Sequence, residues 1–152
     1  MKLISHRGNI NGPDLEKENT IEQIFIAIGK GFDVEVDVWV IDGLIFFGHD
    51  YPKYLIDDFI IKKIKNSVWF HCKNLEALLF FAISHEPYVF FWHQQDDFTL
   101  TSNGFIWTYP GKNVTPKSIV VDLNLDNKYL DIYGICTDYP SMINLKKNIK
   151  TY

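Results

Sequence analysis

The sequence predicts an α/β fold, read as a (β/α) barrel with several outer helices missing, with a small open α/β sheet as the alternative that composition leaves standing. Three observations carry this. Short apolar segments rich in Val, Ile, Phe and Trp alternate with polar loops along the chain. In the first two-thirds these segments alternate with helical patterns, an order that implies parallel strands joined by crossover helices. In the last third the connections are too short for a full helix. A full eight-fold barrel takes about 250 residues. The 152 residues here therefore fit a reduced version, one domain over residues 1–152 with no internal repeat or linker.

Each element has a local reason. Residues 2–6 form a first strand that ends in a Gly-containing turn. Asn19 or Thr20 can cap a helix in which Ile21, Ile24, Phe25 and Ile28 recur at helical spacing, and Gly29 and Gly31 end it. Residues 33–41 alternate cleanly, with Val34, Val36, Val38 and Val40 on one face and Glu35, Asp37 and Trp39 on the other. Asp42-Gly43 is a hairpin signal, and residues 44–48 return as the partner strand. Helices are expected over 55–64 and 75–85. Further strands are expected at 67–72, 88–93, 104–108, 118–121 and 133–137.

Bulk composition excludes several classes. Hydrophobic residues make up 47% and charged residues 22%, enough for a packed core and unlike a disordered chain. A net charge of -4 gives no electrostatic reason to expect nucleic acid, whose phosphates recruit basic surfaces. The lysines at 62–65 and 146–150 read as solvated helix faces. No apolar run approaches the roughly 20 residues of a membrane-spanning helix, and the first residues do not form a signal peptide. Cys72 and Cys136 are too few for a disulfide framework, so reduced thiols and a cytoplasmic location are expected.

The chemistry concentrates at strand ends. Glu35 and Asp37 stand two apart on a strand, so both carboxylates leave the same face. Close carboxylates repel unless a cation or a shared proton relieves them, and a hard divalent cation is the usual solution. Spacing alone favours a solvent-facing polar stripe on a half-buried strand. His6 ends the first strand and is followed by Arg7, a planar cation suited to phosphate. His49 ends the hairpin's return strand. Two histidines so placed can remove one proton and donate another, as phosphodiester cleavage requires. Around Trp92-His93-Gln94-Gln95-Asp96-Asp97 polar groups crowd another strand end. Lys112 follows a Pro-Gly turn and reads as either a phosphate contact or a solvated residue, and Trp39 and Tyr109 as either pocket lining or core. Cys72 reads as a small buried hydrophobe, and Asp138 as support behind the site or a cap for the last helix.

Taken in order, His6-Arg7-Gly8, Glu18-Asn19-Thr20, Glu35-Val36-Asp37-Val38, Asp42-Gly43 and Gly48-His49-Asp50 resemble the signature of the glycerophosphodiester phosphodiesterases. These belong to the phospholipase C-like phosphodiesterases, which share a TIM-type barrel. Residues 134–140, Gly-Ile-Cys-Thr-Asp-Tyr-Pro, look like that family's closing strand. The resemblance is dense over residues 1–50, returns at 67–73 and 134–140, and is thin between.

The resemblance implies a reduced TIM-type barrel, with His6 and His49 as the acid–base pair and Glu35 and Asp37 as metal ligands. Arg7 and Lys73 would contact the substrate phosphate. The family's third carboxylate ligand is replaced here by His71, which shifts the preference towards Mn²⁺ and other nitrogen-tolerant ions; Asp96 is the alternative third ligand. The implied activity is metal-dependent hydrolysis of a small glycerophosphodiester-like or glycan-linked phosphodiester. One divalent cation (Mg²⁺, Ca²⁺ or Mn²⁺) would assist, and a substrate hydroxyl would attack first to give a cyclic phosphate. The competing expectation is a non-catalytic phosphoester-binding module on the same fold; a phosphomonoesterase or cyclase using the same site is a weaker third.

Overall fold

The computed structural model describes residues 1–126, 129 and 131–143. In chain order the elements are β1 (Lys2–His6), α1 (Ile21–Gly29), β2 (Asp33–Ile41), β3 (Leu44–Phe47), β4 (Tyr54–Ile56), α2 (Asp58–Ile64), β5 (Val68–Cys72), α3 (Leu75–Ala82), β6 (Val89–Trp92), β7 (Phe98–Leu100), β8 (Ile106–Thr108), β9 (Ser118–Val121) and β10 (Gly134–Thr137). The lysines at 146–150 lie outside the described residues. Among those described, no helix is long and apolar enough to cross a membrane.

All ten strands belong to one mixed sheet, curled into a half-barrel. Seven strands run parallel in the order β6-β5-β2-β1-β10-β9-β8. β2 is long enough to outrun β1, whose pairing with it ends at His6↔Glu35. From Val38 onward the antiparallel hairpin strand β3 takes that side, with β4 beyond it at the edge. β7 pairs antiparallel with β8.

The expected reduced TIM-type barrel is therefore not what forms. Helices do not alternate with strands throughout, three strand pairings are antiparallel, and β6 does not pair with β8 to close a ring. The connections explain why. Between β8 and β9 lie only residues 109–117, interrupted by Pro110, Gly111 and Pro116, so no crossover helix can form. Between β6 and β8 the chain is consumed by the β7 hairpin. The expected helix over 55–64 divides into edge strand β4 and a shorter helix α2, broken where Asp57 caps the helix and accepts from the Phe59 amide.

The two faces of the sheet carry separate cores. On the outer face Val34, Val36, Val38 and Val40 are fully buried against Ile24 and Ala27 of α1, Ile61 and Ile64 of α2, and Ala77 and Phe81 of α3. The Asn74 side chain joins helix to sheet: it caps α3 and exchanges hydrogen bonds with the backbone of Val40. On the concave face Ile4, Trp69, Phe91, Trp107, Ile119 and Cys136 pack into a smaller cluster. Below it Asp33 accepts from the Lys2 ammonium and the Trp69 indole, both at 3.0 Å. This cluster is the floor on which the polar site stands.

Candidate functional site

Parallel register stacks the polar residues directly above that floor. In β2 the side chains of Glu35 and Asp37 follow Asp33 on the concave face, and register pairs His6 with Glu35 and Asp37 with His71. Paired residues on parallel strands project to the same side. Sequence positions 6, 35, 37 and 71 thus meet at one end of the sheet. With Arg7, His49 and Lys73 they line a cleft of about 450 Å³, whose far wall comes from Trp92, His93, Gln94, Trp107 and Tyr109.

At the centre are Glu35, Asp37 and His71, with one potential ligand atom from each lying within 4.8 Å of the others. Both carboxylates are buried, at 3% and 1% exposure. His71 Nδ1 stands 3.1 Å from Asp37 Oδ1 and 3.4 Å from Glu35 Oε1. Its Nε2 is 2.8 Å from the His93 carbonyl, which can only accept, so Nε2 carries a proton and Nδ1 is left to face the acids. The ring is held flat against Phe91, with centroids 5.0 Å apart and planes at 7°.

Three cationic groups converge on Asp37. Arg7 Nε lies 3.1 Å from Oδ2, and Lys73 Nζ 3.4 Å from Oδ1. Burial opposes ionisation of Asp37, yet His71, Lys73 and Arg7 hold its carboxyl well below the usual carboxylate range. Burial likewise disfavours charge on His71, but Asp37 and Glu35 outweigh it and raise its pKa to about 9. The two neighbours of the buried Asp37 Oδ1 are both cationic, His71 Nδ1 and Lys73 Nζ. A charged oxygen of that kind is open to a cation, and two carboxylates with one imidazole are a donor set that divalent ions accept. The residues fit a metal. In its absence a protonated His71 serves as the counter-charge.

The acids are held by a hydrogen-bond frame from the first turns of the chain. Asn19 has a left-handed backbone, φ 60°, and 1% exposure. Its amide nitrogen donates to Asp37 Oδ2 and its oxygen accepts from the Asp37 backbone N–H, both at 3.0 Å. Arg7 is also left-handed, φ 52°, which brings its backbone N–H to Glu35 Oε2 at 3.3 Å while its guanidinium reaches Glu18 at 3.0 Å. Asn9 donates from one amide nitrogen to both Glu18 and Asp138.

Asp138, just past β10, lies 2.8 Å from His6 Nδ1. A carboxylate accepts, so the proton sits on Nδ1 and the His6 Nε2 lone pair is free. His49 repeats the arrangement with Asp50 Oδ1 at 2.7 Å, but its side chain is 41% exposed against 13% for His6. Gly48, φ 151°, shapes the turn that carries His49; a Cβ there would stand 2.3 Å from the Tyr51 carbonyl.

All seven residues singled out from the sequence line this one cleft: His6, His49, Arg7, Lys73, Glu35, Asp37 and His71. Asp96 does not line it, and the His93 ring meets only its backbone carbonyl. Lys112 pairs with Asp97 at 2.9 Å, away from the acidic centre. Trp39 donates to the Gly48 carbonyl beside the cleft rather than lining it. Sequence reasoning missed the frame of Asn9, Glu18 and Asn19: it passed over Asn9 and took Glu18 and Asn19 for signature and helix-capping residues. A buried polar run before a helix whose cap is Thr20 is the signal that could have found it. Comparison with protein-family models, curated proteins and solved structures gave no match.

Proposed function

We propose that this chain is a metal-dependent phosphodiesterase that acts on a small phosphodiester, in the manner of the glycerophosphodiester phosphodiesterases its motifs resemble. The observation that carries the reading is the meeting of two carboxylates, a ligating imidazole, two further imidazoles and two fixed cations in one cleft. A structural polar cluster needs no second and third histidine with carboxylate-held Nδ1 and open Nε2.

Glu35, Asp37 and His71 would hold the cation, which when bound supplies charge neutralisation for a phosphoryl oxygen. Arg7 and Lys73, at the cleft wall beside Asp37, stabilise the remaining phosphoryl charge. Asp138 and Asp50 fix the tautomers of His6 and His49. One imidazole enters neutral and takes the proton of the attacking hydroxyl on Nε2, while the other enters as the imidazolium and gives its Nε2 proton to the departing alkoxide; hydrolysis of the resulting cyclic ester reverses the two roles. A cytoplasmic setting accords with the two free, buried thiols of Cys72 and Cys136.

The test is hydrolysis of bis(p-nitrophenyl) phosphate and glycerophosphodiesters with each of Mg²⁺, Ca²⁺ and Mn²⁺, and with chelator. Turnover that chelator abolishes and Mn²⁺ restores is expected. Binding of phosphoesters without turnover under any ion would instead establish the second reading, a non-catalytic phosphoester-binding module. That reading draws on one specific observation: His71, Arg7 and Lys73 already balance Asp37 without a metal.

A further inference from the structure

We infer that the half of the cleft away from the acids is a stacking subsite for a planar ring, so that one alcohol of the diester is a nucleoside-like alcohol. This deepens the phosphodiesterase reading and rests on it. The cleft extends from His71 towards β8 because β6 and β8 do not pair, and its floor there is a ladder of rings. His71 lies on Phe91, and Phe91 lies on Trp107 with centroids 4.3 Å apart and planes at 26°. Both are largely buried and set the floor; Phe91 lies beneath the lining, and Trp107 reaches the cleft wall.

Above them a second ring layer is open. His93 and Tyr109 follow β6 and β8 directly and lie face to face across the gap, with centroids 6.3 Å apart and planes at 25°. The His93 ring is anchored by Asp96 and the Tyr109 backbone by Asp97. Tyr109 is 50% exposed, and both rings line the same cleft as the acidic trio. An anchored, half-open aromatic face continuous with a phosphate site is how proteins select flat rings, since every base has a π-face to stack. Gln94, exposed on the same wall, offers an amide that can donate to and accept from a ring edge. The net charge of -4 argues against a nucleic-acid polymer as the source of that ring.

The experiment is calorimetric titration of the Mn²⁺-loaded full chain with adenosine monophosphate, ribose phosphate and glycerol phosphate. Each is repeated with Tyr109→Ala and Tyr109→Phe. Adenosine monophosphate should bind at least about tenfold more tightly than ribose phosphate, within the range of one base–aromatic stack. The ratio should fall towards one in Tyr109→Ala and survive in Tyr109→Phe. Equal affinities in the parent, or a ratio unchanged in Tyr109→Ala, would overturn the stacking subsite. A gain for both ribose compounds over glycerol phosphate, with none for the base, would replace it with a sugar subsite. Binding of glycerol phosphate without gain for adenosine monophosphate sinks this inference alone. Absence of binding by all three sinks the phosphate reading with it.

Discussion

Asn19→Ala removes the support of Asp37, and its cost can be worked from the structure. Two hydrogen bonds at 3.0 Å disappear, one to a buried carboxylate and one from a backbone N–H that is then left buried and unpaired. Hydrogen bonds to charged groups are worth about 1.5–3 kcal/mol and an orphaned buried donor costs about 1–3 kcal/mol. Alanine at φ 60° adds about 1 kcal/mol of left-handed strain, which asparagine tolerates better and glycine does not feel. The sum is about 3.5–7 kcal/mol for Asn19→Ala, with Asn19→Gly about 1 kcal/mol milder. Urea unfolding at constant m-value measures both. The same variants should bind Mn²⁺ about 10- to 100-fold more weakly, because the carboxylate has lost its orienting partner. A loss below about 1 kcal/mol, or Asn19→Gly no milder than Asn19→Ala, would refute the assignment of this residue as the brace of the acidic centre.

Four further outcomes follow from the same geometry. His6→Ala and His49→Ala should each lower kcat by at least about 100-fold while leaving the unfolding midpoint near that of the parent; near-normal turnover in a folded variant removes that imidazole from the mechanism. Gly48→Ala, which drives a methyl against the Tyr51 carbonyl, should lose activity through displacement of His49, seen as a shift in its ring resonances. With its pKa raised to about 9, His71 should stabilise the metal-free protein fully below about pH 6.5. That stability should be lost as pH rises through about 9. Mn²⁺ competes with the Nδ1 proton, so its stabilising effect should grow over the same window, and a metal-induced rise in Tm independent of pH would contradict this. Burial raises the Cys72 thiol to about 12, so iodoacetamide should label neither it nor buried Cys136 until the chain is unfolded.

What could be read from the sequence was what one strand or one turn encodes by itself. β2 was legible because valine at every second position leaves no other assignment, and its polar face delivered Glu35 and Asp37. The short strands β4 and β7 were not. Tyr54-Leu55-Ile56 merges with the apolar run of α2, and Phe98-Thr99-Leu100 is a three-residue edge with mixed exposure. The closed barrel failed for a related reason: whether β6 reaches β8 depends on how residues 93–105 fold back, which no local pattern specifies. In the site, residue types and strand ends exposed His6 and His49, while His71 was reached only through the resemblance, as the residue in place of a carboxylate ligand. The bonds of Asn9, Asn19 and Asp138 join positions up to 132 apart in the chain, and such partners cannot be paired by inspection.

The place of β1 in the sheet also sets the order in which the molecule can be assembled. Residues 2–5 pair on one side with 134–137 and on the other, from Ile4 onward, with β2. A nascent chain therefore completes α1, the β2–β3 hairpin and β5 early, through contacts of modest sequence separation. β1 then keeps one edge unpaired until β10 has been synthesised. The entropy of closing that long loop is met only at the end. His6, whose tautomer Asp138 fixes, is thus set in place in the same event that completes the sheet. Partly folded chains would hold the acids without an oriented base, so they should not cleave, and refolding should regain native fluorescence no later than turnover.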